Sequence, residues 1–143
     1  MPVHLVKLAA GISDFAALQV RLAERVTKHT NGQNIVPVFT RNRPKRGVEL
    51  LEGGSLYWIA GGYIVGRNSF VDIQEGVDKE GRKYCLLCVA PEIIRVQSTP
   101  RRAFQGWRYL PDTDIPRDIL TDVSGREEGP AELLNELQKL GLL

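Results

Sequence analysis

The pair Gly61-Gly62 lies between two runs, residues 55–60 and 63–73, that are rich in aromatic and β-branched side chains. Two residues free to take positive φ between two such runs predict a hairpin. That hairpin commits the middle of the chain to antiparallel sheet. Gly66 inside the second arm predicts a bulge or a close backbone approach. Further strands are expected at residues 3–9, at 35–40 with Pro37 placing it at an edge or near its start, at 82–90 after a turn at 78–81, and at 93–96.

Helices are expected at three places. Ser13 is placed to cap a first helix whose apolar stripe is Phe15, Leu18, Leu22 and Val26, with Arg21, Glu24, Arg25 and Lys28 mostly off it and Asn31-Gly32 as its stop. Pro44 can open a short helix through Val48, Leu50 and Leu51 that ends at Gly53-Gly54. Pro130 starts a last helix, with Leu133, Leu134, Leu137 and Leu140 on one face and Gly141 as cap. Residues 98–126, with three prolines and many polar side chains, read as irregular. The order implies an α+β fold: a mixed, mostly antiparallel, barrel-like sheet with an N-terminal helix, a short helix and a C-terminal helix.

At 143 residues, 43% hydrophobic and 25% charged, the chain reads as one globular domain, residues 1–143. The net charge of +2 hides a split. Residues 39–110 carry twelve basic and seven acidic groups, and 111–143 carry three basic and eight acidic. The second part is an acidic tail segment that can lie over the cationic middle or stay solvated. The longest apolar run, residues 85–90, is far too short to span a membrane, and no signal peptide is visible at the start. Two cysteines make no disulfide scaffold, so a cytoplasmic, reducing setting is expected.

Several chemistries are set aside. Cys85 and Cys88 fall three apart in a strand, hence on opposite faces, and no second cysteine pair exists to complete a zinc site; they read as core thiols. His29 is expected at the end of the first helix, where a cation suits the dipole, and His4 on the polar side of the first strand. There is no nucleophile elbow, phosphate loop or GxGxxG pattern. The acidic pairs Glu49/Glu52 and Asp72/Glu75 have no partner that marks an acid and a base. No catalytic residue, metal ligand or cofactor is nominated, and whether the chain catalyses a reaction stays open.

Two segments mix cations with planar rings. The first is Phe39-Thr40-Arg41-Asn42-Arg43-Pro44-Lys45-Arg46, at the mouth of the short helix. The second runs from Thr99 to Tyr109 and places Arg101, Arg102 and Arg108 among Phe104, Trp107 and Tyr109. Guanidinium forks bind phosphates and rings stack on unpaired bases, so these segments point to nucleic acid, RNA above all. Arg41, Arg43, Lys45, Arg46, Arg67, Arg101, Arg102 and Arg108 are the candidate phosphate contacts, and Phe104 and Trp107 the stacking rings. Two alternatives stand beside this. The arginines can stack on rings of their own protein, or they can line a pocket for a small anionic ligand beside Tyr57, Trp58 and Tyr63. A protein partner for the leucine-rich tail helix is a further option.

The start Met-Pro-Val-His-Leu-Val-Lys-Leu, the segment Thr40-Arg-Asn-Arg-Pro-Lys-Arg46, the run Leu51-Glu-Gly-Gly-Ser-Leu-Tyr-Trp58, residues 100–110 and the ending Leu140-Gly-Leu-Leu143 together resemble a domain-of-unknown-function family of short alphaproteobacterial proteins. That resemblance implies no activity. The short helix ending Leu-Leu-Glu-Gly, a strand and a glycine-turned hairpin are also similar in layout to pseudouridine-synthase-and-archaeosine-transglycosylase-like (PUA-like) domains. This second likeness implies a small mixed barrel of a kind used by readers of RNA and modified bases, with a cleft near Arg43, Trp58, Arg67 and Trp107.

Overall fold

A computed structural model of the chain describes residues 3–119. The elements follow in the order β1 (His4–Leu8), α1 (Phe15–Ala23), β2 (Thr27–Lys28), β3 (Asn34–Thr40), α2 (Gly47–Leu51), β4 (Ser55–Ala60), β5 (Tyr63–Val77), β6 (Lys83–Val89), β7 (Ile94–Pro100) and β8 (Trp107–Leu110), then a single 3-10 turn at Asp112–Asp114. The strands form one mixed sheet in the order β2-β3-β6-β5-β4-β1-β8, with β7 also on β5. Among the described residues, β1 and β4 are the one parallel pair. The sheet does not close: β2 and β8 stand at the two ends of that order.

The 15-residue β5 organises the whole. Its first half pairs with β4 along one edge and with β7 along the other, and from Phe70 onward β6 takes over from β7. The β4–β5 turn uses Gly61 and Gly62 at φ 61° and 85°, as the paired glycines demand. At Gly66 the register slips against both neighbours. A Cβ there would stand 2.8 Å from Ile93 Cδ1 and 3.1 Å from the Phe15 ring, so any side chain at this position forces Ile93 and Phe15 to shift.

Because β6 and β7 follow one another along the same edge of β5, the chain must step out of the ladder between them. Asn68 fills that step. Fully buried, it donates from Nδ2 to the carbonyls of Ala90 (2.8 Å) and Glu92 (3.3 Å) and accepts from Trp58 Nε1 (2.8 Å). A buried amide is tolerated when its capacity is met, and here three bonds meet it.

The core has two layers, one on each face of the sheet. All six residues of β4 are buried, which reads as the run of a strand covered on both sides. On one face Leu5, Leu56 and Trp58 pack with Val36, Leu87 and Val89, and α1 closes over them with Leu18 and Leu22. On the other, Val6, Tyr57, Ile59, Ile64, Val96 and Leu110 form a smaller cluster. Each fully buried Leu or Ile in these layers contributes roughly 1.5–3 kcal/mol.

Several expectations need correction. The cap of α1 is Asp14, whose carboxylate accepts from Ala17 N (2.8 Å), rather than Ser13. The helix also stops at Ala23, well before Asn31-Gly32, and the β-branched Val26-Thr27 leads into β2 instead. Asn31-Gly32 then turns the β2–β3 hairpin, a role its chemistry suits as well as a helix stop. His29 therefore lies in a hairpin rather than at a helix end. Part of the stretch read as irregular is strand, since β7 runs to Pro100 and β8 occupies residues 107–110. The helix expected from Pro130 and most of the acidic tail lie outside the described residues.

Candidate nucleic-acid interface and the adjoining cleft

The two segments that mix arginine with aromatic rings meet. Trp107 donates from Nε1 to the carbonyl of Asn42 (2.8 Å), and the Arg46 backbone N–H donates to the Tyr109 hydroxyl (3.0 Å). Trp107 and Tyr109 pack edge to face at 5.1 Å, and the Arg46 guanidinium lies 5.9 Å from the Tyr109 ring centre. Pairing of β8 with β1 fixes this arrangement, because it sets Trp107 opposite Lys7 and Tyr109 opposite Leu5.

Alternation along β8 then divides the candidates between two faces. Trp107 and Tyr109 share the face of the larger core. Arg108 points the other way, its guanidinium 4.3 Å from the ring centre of Phe104, which packs on the smaller core. Since β8 ends the sheet order, the two sets flank one exposed edge rather than line one groove.

Carboxylates hold most of the expected phosphate contacts. Arg41 pairs with Asp78 (3.2 Å) while lying 5.1 Å from the Phe39 ring centre. Arg43 pairs with Glu75 (3.2 Å), and Arg101 with Asp114 (3.3 Å). Arg46 forks onto Glu49 with two bonds of 2.8 Å, which holds the Glu49 carboxyl below its ordinary range. Arg67 forks onto Asp118 (2.8 and 2.7 Å) and reaches Ser55 Oγ (2.7 Å). The bond from Arg67 likewise pulls the Asp118 carboxyl down. Among the described residues, Lys45, Arg102 and Arg108 have no carboxylate within ion-pair distance.

Tyr57, Trp58 and Tyr63 do not share a cleft. Tyr57 and Trp58 are successive strand residues, so one joins each core layer, and Tyr63 is exposed at the start of β5. Tyr57 lies beside Arg67 in the β4–β5 register and meets the His4 ring edge-on at 5.4 Å. Burial pushes the Tyr57 hydroxyl up, and burial followed by the Arg67 charge pushes His4 down. His4 accepts the Ser55 N–H through Nδ1 (3.0 Å), which keeps that nitrogen unprotonated. Arg43, Trp58, Arg67 and Trp107 are similarly divided, with Arg67 on the Tyr57 face and the two indoles on the other.

Two features escaped the sequence reading. His29 Nε2 contacts Asp72 Oδ2 at 2.8 Å, and Gln74 joins the same carboxylate (3.3 Å). The bond from His29 is the main cause holding Asp72 below its usual range. The second is a cleft of about 300 Å³ between α1, the end of β1 and the edge of β3. Lys7, Arg21 and Arg25 line it, over a floor that includes Leu18, Leu22, Val36 and Trp58. Register puts Trp107, Lys7 and Trp58 in a row across three strands. The interruption of an apolar strand by Lys7 is the one sequence signal for it. No group of three or more potential metal ligands occurs among the described residues. Cys85 and Cys88 are buried and free, and burial pushes the Cys88 thiol up to about 11.

Compared with known families, residues 5–143 match the one described as "Protein of unknown function (DUF1489)". No curated protein and no solved structure matches the chain.

Proposed function

The chain belongs to the DUF1489 family, and from the chemistry of its own surface we propose that it binds single-stranded nucleic acid, RNA above all, along the exposed β8 edge. The observation that carries this reading is the meeting of the two arginine- and ring-bearing segments through the Trp107–Asn42 and Arg46–Tyr109 hydrogen bonds. Lys45, Arg102 and Arg108 supply the first phosphate contacts, since none has to leave a carboxylate among the described residues. Arg41, Arg43, Arg46 and Arg101 sit in ion pairs at the surface, which phosphate can displace because solvent screens them. Arg67 is held too deeply by Asp118 and Ser55 to exchange and acts as a positioning residue. Half-buried Trp107 is one ring for stacking, and Phe104 becomes the other when Arg108 swings from its ring to a phosphate.

We read the bent, open sheet as a barrel-like, PUA-like layout, in keeping with a nucleic-acid reader. Two free, buried thiols suit a cytoplasmic setting. Among the described residues no helix is long and apolar enough to cross a membrane, and no partner in a bilayer is proposed. The cleft beside Lys7 favours a second reading, in which the ligand is a small anion.

Fluorescence anisotropy with labelled single-stranded RNA and a duplex of the same sequence tests the first reading. Saturable binding is expected at low salt, stronger for the single strand. The triple substitution Lys45→Gln, Arg102→Gln, Arg108→Gln is expected to weaken it at least about tenfold. Absence of binding at low salt, or an unchanged affinity in the triple variant, refutes it.

A further inference from the structure

We propose that the cleft between α1, the end of β1 and the edge of β3 binds a small organic anion with a flat apolar body. The cleft has the makings of a ligand site: a concave space of about 300 Å³, an apolar floor and a few charged groups at its margin. All the charged residues that line it are cations, Lys7, Arg21 and Arg25. None of the three has a carboxylate within ion-pair distance among the described residues, whereas Arg41, Arg43, Arg46, Arg67, Arg82 and Arg101 all do. Lys45, Arg102 and Arg108 are unpaired among the described residues too, but they stand at the β8 edge, whereas Lys7, Arg21 and Arg25 converge on one concave, apolar-floored space.

Lys7 is the most telling of the three. It shares a strand face with Leu5, which is fully buried, and with Ala9 at 5% exposure. A half-buried ammonium with no partner costs free energy, and burial accordingly pushes its pKa down. An apolar residue would pack at this position without that cost. An incoming anion removes it, so the position makes sense as a binding residue.

The floor sets the rest of the ligand. Leu18, Leu22, Ile12 and Val36 offer only apolar surface, and the Trp58 indole is turned by its bond to Asn68 so that its ring lines the space. The wall from β3 is strand edge: β2 pairs with Asn34 and Ile35, so, among the described residues, 36–39 have a strand neighbour on one side alone, and Pro37 presents no N–H there. A ligand here gains from ring surface and a negative group, and the missing Pro37 N–H leaves the strand edge one donor fewer for ligand acceptors.

Two dyes of the same shape separate these contributions: anilinonaphthalene sulfonate, an anion, and N-phenylnaphthylamine, which lacks the sulfonate. On the full chain, the sulfonate is expected to bind saturably at one site. Lys7→Met should weaken it about tenfold, and the pair Arg21→Gln, Arg25→Gln by a similar factor. The neutral amine should bind all variants alike, and Lys7→Met should melt no lower than the parent, a result that a merely structural lysine would not give. Equal affinity of the two dyes, non-saturating binding, or an unchanged sulfonate affinity in Lys7→Met overturns the proposal. The Lys45, Arg102 and Arg108 triple variant should keep its sulfonate affinity, so this site and the nucleic-acid edge stand or fall separately.

Discussion

Replacing Asn68 with alanine removes three hydrogen bonds at once, one buried and two half-buried. The Trp58 indole N–H loses its acceptor, and the carbonyls of Ala90 and Glu92 lose their donor. Each buried polar group left without a partner costs about 1–3 kcal/mol. The space vacated by the amide can admit water and recover part of that, so the net loss should be about 3–5 kcal/mol. For a domain of this length each kcal/mol lowers Tm by roughly 3 °C, which places the expected drop near 10–15 °C by thermal unfolding. Asn68→Asp sharpens the test. The carboxylate can still accept from Trp58, but it faces two carbonyl oxygens with no proton to offer. Its folded pKa should therefore lie above the unfolded one. The deficit should be smallest at low pH and grow as pH rises through the folded pKa. A Tm within about 3 °C of the parent for Asn68→Ala, or a pH-independent deficit for Asn68→Asp, would refute the view that this amide holds the β6–β7 step together.

Three further outcomes follow from the same contacts. Asp72 is held down first by His29 and then by the Ile73 N–H and Gln74, so its contribution is present above the unfolded carboxylate pKa of about 3.9 and fades as pH falls through the folded value. The stability gap between the parent and Asp72→Asn should close in acid melts and persist at neutral pH. The segment after the 3-10 turn is fastened across β7 by Gln97 N to Arg117 O and Ile119 N to Arg95 O (2.8 Å each) and by the Arg67–Asp118 fork. Asp118→Ala should speed tryptic cleavage after Arg117 several-fold, and an unchanged cleavage rate would show that the fork fastens nothing. Both thiols should resist a disulfide reagent in the native protein and react together on unfolding, because Cys85 and Cys88 are buried and their pKa values are raised.

What could be read from the residues alone was local. Gly61-Gly62 announced its hairpin, Gly66 its bulge, and the stripe of Leu18 and Leu22 the face that α1 buries. Errors arose where a local signal has two solutions. Asn31-Gly32 ends a helix or turns a hairpin with equal ease, and the pairing of Thr27 with Ile35 decided between them. Strand β8 is four residues between polar loops and exists because β1 offers it an edge, a contact with partners at least 100 residues away in sequence.

The candidate site behaved the same way. The composition of the two cationic segments was legible, but their meeting was not, because it rests on the Trp107–Asn42 and Arg46–Tyr109 bonds that the β1–β8 pairing sets up. Their charge balance was not, because Asp78, Glu75, Asp114 and Asp118 reach their arginines through register and turn geometry. Lys7 was hidden by its surroundings: one lysine in an apolar strand looks like an edge residue until β4 and β8 flank it with Trp58 and Trp107.

The salt dependence of RNA binding tests the central claim most directly. Three phosphate contacts on a single strand release enough counterions to give log K against log salt a slope of about −2, and each Lys45, Arg102 or Arg108 substitution should flatten it by about 0.7. A slope near zero, or one that all three substitutions leave unchanged, would contradict an interface at the β8 edge.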